Sequence, residues 1–191
     1  MRDQQAGHGI DHVLRVFRSA KEIQAEVGGD STVVQLAALL HDIGDAKFHD
    51  GVERSGEFSR EILNDLQVSP AVVEHVVQIV DNISFRKAVN REDLSLEGKI
   101  VQDADRLDAL GAIGIVRTIE YGAASGQPFH VSGSQSGQAK TGIGHFHEKL
   151  FKLRALLNTE PARRMAGQRE DFMRLFLEQF FRECGTEEPT Q

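Results

Sequence analysis

The sequence predicts an all-α fold, a single-domain bundle of about six to eight helices, and three observations carry that prediction. Apolar residues recur at helical spacing in one segment after another, whereas runs alternating apolar and polar residues are few. Only four prolines and one tyrosine occur in 191 residues, so helix breakers and one strand-favouring aromatic are both scarce. A chain of this length, 40% hydrophobic, is long enough to bury one sizeable core.

The elements follow in order. Residues 1–10 are polar and contain glycine, which predicts a loose arm. Gly9 or Asp11 can cap a helix over 11–27 whose apolar stripe is Val13, Val16, Phe17, Ala20, Ile23 and Val27. His12 lies four residues before Val16, on the buried edge of that stripe. Gly28-Gly29-Asp30 is a stop and a restart. From Val33 to Leu40 seven of eight residues are apolar, which predicts a buried helix opened by Asp30 or Ser31 and closed by a left-handed Gly44. At its end stand His41 and Asp42. Residues 44–56 read as a polar loop that could overhang this pair with Asp45, Lys47 and His49. Phe58, Ile62, Leu63 and Leu66 mark a helix over 56–66, and Ser69-Pro70 opens the next, with proline at its first position.

Residues 82–95 form a connection of mixed charge. The segment 96–122 then shows helical spacing through Ile100, Ala104, Leu107, Leu110 and Gly114. Asp103 shares a face with Leu107 and Leu110, so it reads as a buried anion whose counter-charge is a metal, Arg106 or Arg117. Residues 123–144 are rich in Gly, Ser and Gln and predict a mobile loop or lid. Two helices, over 145–157 and 161–183, close the chain; residues 184–191 read as a second flexible tail.

Composition narrows the function. A net charge of −7 argues against non-specific binding to nucleic acid or to a membrane surface, which favour basic patches. The single Cys184 rules out an internal disulfide, makes a poor nucleophile candidate at the chain end, and suits a reducing cytoplasm. No apolar run reaches a membrane span, and the N-terminus lacks a signal-peptide core. The stretch Gly133 to Thr141 only superficially resembles a phosphate loop, since no lysine directly follows the second glycine and no strand precedes.

His12, His41, Asp42 and Asp103 place two imidazoles and two carboxylates on helix faces that should be apolar. Such an N2O2 set suits Mn²⁺, Fe²⁺, Zn²⁺, Co²⁺ or Ni²⁺ and fits Ca²⁺ poorly. An ion so held acidifies a water and offsets charge on a phosphoryl group. Each residue also has a plainer reading. His12 can be a helix-edge histidine, and Asp103 an ion-pair partner of arginine. Asp105 and Asp108 can be exposed helix charges, and Lys47 a solvated loop lysine.

The order Asp11-His12, His41-Asp42, Asp103 resembles the H…HD…D signature of the HD-domain metal-dependent phosphohydrolases. The stretches Asp11–Val16, Leu39–Phe48, Lys99–Gly114 and His145–Leu150 extend the likeness to a bacterial branch that includes manganese-dependent (d)NTP pyrophosphohydrolases. It covers residues 11–183 as one HD domain. The resemblance implies that His12, His41, Asp42 and Asp103 ligate one divalent metal, manganese first, with Fe, Zn, Co, Ni or Mg as alternatives. It implies Asp42 touching the attacking water, and Asp45 or Asp108 orienting the histidines or acting as base. Lys47, Arg106 and His145 are the expected substrate contacts. The implied reaction is hydrolysis of a phosphate substrate, a nucleotide first, with 5′-nucleotidase, phosphodiesterase or a nucleotide-binding module with little turnover as rivals. The expected assembly is a monomer or a homodimer. A second metal using His49 or His75 does not match the family spacing, and a di-iron oxygenase needs more ligands than the sequence supplies.

Overall fold

A computed structural model describes residues 9–45, 49–83, 93–131 and 140–186. The described residues form eight α-helices and a 3-10 helix, with no strand among them. No helix among them is long and apolar enough to cross a membrane. The chain divides into two compact units, Met1–Asp105 with Leu157–Ala162, and Arg106–Leu156 with Arg163–Gln191.

The first unit holds α1 (Ile10–Val27), α2 (Ser31–Leu40), α3 (Ser55–Asp65), α4 (Pro70–Asn82) and most of α5 (Leu96–Leu107). Gly9 caps α1, and Val13, Val16, Ala20 and Ile23 are buried along it as the stripe predicts. Asp30 caps α2 by accepting from the amides of Thr32 at 2.8 Å and Val33 at 3.2 Å, two donors the helix itself leaves unsatisfied. The amide of Asp30 in turn donates to Glu97 Oε1 at 2.9 Å, tying the α1–α2 turn to the start of α5. The short apolar α2 packs on both α1 and α4, which explains why it is apolar nearly all round. α3 packs on α4 through Leu63 and the small Ser55, Gly56 and Ser59. Each large apolar side chain removed from water here contributes about 1.5–3 kcal/mol.

The second unit holds α6 (Gly111–Ser125), α7 (Gly142–Glu148), the 3-10 helix Leu150–Leu156 and most of α8 (Glu160–Cys184). Its core includes Leu107, Leu110, Phe146, Leu153, Met173 and Phe181. Phe129 meets Phe146, Phe176 and Phe180 edge-on, with centroids 5.5–6.1 Å apart.

Four sequence expectations change. The 96–122 segment is two helices, because the chain turns at residues 108–110 and Gly111 takes φ +74°. The 145–157 segment is α7 followed by a 3-10 helix. Gly44 does not take a left-handed conformation; a Cβ there would lie 2.3–2.7 Å from the backbone of Arg54 and Ser55, so close approach is what demands glycine. Part of the expected 123–144 lid is packed, since Phe129 presses on Gly142 and joins the aromatic cluster; residues 132–139 lie outside the described residues.

Candidate metal centre

His12 enters from the first turn of α1 and is 2% exposed. His41 and Asp42 sit in the turn that ends α2. That turn is closed by two backbone bonds, Ile43 to Leu40 and Asp45 to Asp42. The amide of Arg54 then donates to Gly44 O at 2.9 Å, so the loop after the pair folds back onto it. The His41 ring donates from Nδ1 to Ala38 O at 2.9 Å. With the proton on Nδ1, a neutral His41 presents a bare lone pair at Nε2. That atom faces His12 Nε2 at 3.2 Å.

Asp42 Oδ2 lies 3.4 Å from His12 Nε2 and 3.6 Å from His41 Nε2. Among the described residues these three side chains offer ligand atoms all within 4.8 Å of one another. Asp105 adds a carboxylate beside them, with Oδ1 3.5 Å from His12 Nε2 and 3.9 Å from His41 Nε2. Two buried imidazole nitrogens and two part-exposed carboxylates thus converge on one spot. Lone pairs and negative charge crowd together only when a proton or a cation lies among them. The donor set fits a first-row divalent ion, as expected from the sequence.

Asp103 is placed elsewhere. It is fully buried, and Oδ1 accepts from Asn158 N at 2.8 Å and Asn158 Nδ2 at 2.9 Å. Oδ2 accepts from Thr159 N at 2.7 Å, Thr159 Oγ1 at 2.8 Å and Asn158 N at 3.0 Å. Burial pushes this carboxyl above the usual carboxylate range, and the bonds from Asn158 and Thr159 pull it back. Asp103, expected among the ligands, lies outside the group that His12, His41 and Asp42 form. Its lone pairs are taken by donors of the 158–159 turn, and Asp105, two residues on, stands beside the histidines. The reading of Asp105 as an exposed helix charge is half right, since its side chain is 42% exposed while its oxygen reaches His12. Asp105 was read from the sequence only as a helix charge, and Asn158 and Thr159 were not singled out. Thr159 directly before α8 is a capping-type residue, which was the available signal.

The other expected residues take varied places. The side chain of Asp45 is not in the three-residue group, and its amide closes the turn on Asp42 O. Lys47 lies outside the described residues. Arg106, in the second unit, is not the partner of Asp103; its Nη1 donates to Leu156 O at 2.5 Å. Asp108 is buried rather than exposed and pairs with Arg117 at 2.5 Å. His145, on α7, is held below the usual histidine range by desolvation first and then by Lys149. His49 stacks edge-on against Phe58, and His75 bonds Ser95 Oγ at 2.9 Å.

The HD-domain family model matches residues 9–110. The chain is 37% identical to the uncharacterised protein YpgQ of Bacillus subtilis over 179 residues, 93% of this chain and 84% of that protein. The crystal structure of YpgQ in complex with ADP superposes with a TM-score of 0.80 at 32% identity, covering 95% of this chain and 92% of that one. An HD-superfamily hydrolase from Bacillus thuringiensis gives 0.78 at 35% identity, covering 97% and 91%. Ribonuclease Y of Campylobacter jejuni subsp. doylei is 31% identical over 102 residues, 53% of this chain but only 18% of that protein. The match runs from the His12 helix through Asp105, and on that ground the chain belongs to the HD-domain family and is an HD-type metal-dependent phosphohydrolase.

Proposed function

We propose that the chain hydrolyses nucleotides at a single divalent ion held by His12, His41, Asp42 and Asp105, with (d)NTP to NMP and pyrophosphate as the first reaction. The observation that carries it is the convergence of two buried Nε2 atoms 3.2 Å apart with carboxylate oxygens 3.4–3.9 Å away, in the first unit. Manganese is the metal first in line, and when bound it would acidify a water and offset phosphoryl charge. The bond from His41 Nδ1 to Ala38 O orients the ring and leaves Nε2 as the atom that faces the metal. Asp42 combines a ligand position with partial exposure, which suits it to contact the attacking water. Asp45 is the candidate to receive that water's proton. Lys47, Arg106 and His145 are the candidate phosphate contacts. The ADP complex of YpgQ, a relative across nearly the whole chain, supports a nucleotide as ligand.

The test is turnover of a nucleotide panel with Mn²⁺, with pyrophosphate and orthophosphate measured separately. Pyrophosphate release from (d)NTPs supports this reading. Orthophosphate from monophosphates would replace it with a 5′-nucleotidase. The likeness to part of Ribonuclease Y favours phosphodiester cleavage as the second reading, and the net charge of −7 weighs against a long RNA substrate.

A further inference from the structure

Asp103 makes no direct contribution to the group of ligand atoms, yet its carboxylate accepts five hydrogen bonds of 2.7–3.0 Å from two consecutive residues 55 and 56 positions further on. Gln102 beside it extends the network. Its Oε1 accepts from Asn158 Nδ2 at 3.0 Å, and its Nε2 donates to Ile83 O at 3.3 Å, just past α4. Between Asp103 and Asp105 stands Ala104, fully buried. Residues two apart on a helix point about 160° away from each other. So α5 is gripped on one side by the 158–159 turn and presents Asp105 to His12 on the other.

We propose that Asp103, Asn158 and Thr159 are positioning residues for the metal centre: their network fixes the rotation of α5 and thereby the distance of the Asp105 carboxylate from His12 and His41. The proposal rests on the reading of Asp105 as a ligand. Side chains reach about 5–6 Å from a helix axis, so a rotation of about 10° would carry the Asp105 tip by about 1 Å. Displacements of that size are enough to spoil a site that demands about 0.5 Å of precision. A side-chain clamp supplies such precision because the five bonds of Asp103 come from backbone amides and short side chains.

Thr159→Val removes the Oγ1 donor while keeping the volume. Manganese binding is measured by calorimetry well below the melting temperature, alongside Tm and the kcat and KM for the nucleotide that the panel identifies. The expected result is Mn²⁺ affinity weakened about tenfold, with kcat lowered, KM nearly unchanged, and recovery in Thr159→Ser. Asn158→Ala, which keeps the backbone bonds but removes the Nδ2 donor from Asp103 and Gln102, moves in the same direction and carries the test if Thr159→Val fails to fold. A lowered Tm with wild-type Mn²⁺ affinity in both variants would reduce the network to plain structure and overturn the proposal. Asp105→Asn is the control. Wild-type Mn²⁺ affinity in that variant would sink the ligand reading itself, whereas its loss there with retention in Thr159→Val would sink the positioning role alone.

Discussion

Asp103 and Asp105 carry the same carboxylate on the same helix and live in opposite surroundings. Asp103 is fully buried, and its oxygens are filled by amide and hydroxyl donors. Asp105 is 42% exposed, and its oxygen looks toward two imidazole nitrogens rather than toward donors on the backbone. The lesson is that burial alone does not make a carboxylate a ligand, because the deeper of these two is the one satisfied by neutral donors. A carboxylate removed from water must be satisfied wherever it sits, and a set of neutral donors does so as well as a metal. A group that binds an exchanging ion and its substrate needs an open side.

The comparison can be broken at several points. The largest expected effect is on Asp105→Ala, which leaves Asp103 and its partners untouched. Hydrolysis should fall by about a thousandfold, the several kcal/mol that a held ion supplies, with little change in Tm. Steady-state kinetics beside thermal melting checks both halves. Asp103→Ala should reverse the pattern. It orphans the Asn158 and Thr159 donors, so stability should drop by about 3 kcal/mol or more, read as a Tm lower by roughly 6–12 °C. If Asp103→Ala melts like wild type, the five bonds contribute nothing and the contrast collapses.

These two side chains also mark how far the sequence could be read. The periodic face of Ile100, Asp103, Leu107 and Leu110 placed Asp103 inside, and it is inside. What periodicity cannot tell is the partner. The donors come from Asn158 and Thr159, in a turn that no local pattern connects to α5. Asp105 lies on the less apolar flank of α5, where a charged residue looks ordinary, so the geometry and not the pattern brings it to His12. The all-α class and the capping by Asp30 were legible because each rests on local spacing or on the length of an apolar run, whereas the meeting of His12 with His41-Asp42 was implied by the family resemblance. Gly111 was the visible sign that the 96–122 segment breaks, and its φ of +74° is the physical reason.

A smaller effect is expected at Gly44. A methyl there would overlap the Arg54–Ser55 backbone, costing about 1–3 kcal/mol if the loop yields. Because the turn carries His41 and Asp42, Gly44→Ala should weaken Mn²⁺ binding as well as stability, which calorimetry and melting together can read. An unchanged Tm would mean that the loop does not pack on the turn.

The smallest effect concerns pH. His145 is neutralised more readily in the folded chain than in the unfolded one, because desolvation disfavours its charged form. Its folded value lies below the unfolded value of about 6.5. The unfolded chain therefore binds more protons in that window, so stability is complete above about pH 6.5 and declines as pH falls through the folded value. His145→Gln should flatten the decline in Tm as pH falls below about 6.5. An equally steep decline in the variant would assign the acid sensitivity to other groups.

The most direct test of the central claim is anomalous diffraction from crystals grown with Mn²⁺. The account predicts one strong peak per chain within about 2.0–2.3 Å of His12 Nε2, His41 Nε2 and the Asp42 and Asp105 carboxylates, with Asp103 still bonded to Asn158 and Thr159. A peak coordinated by Asp103, or a fully loaded protein whose metal lies away from His12 and His41, would contradict it.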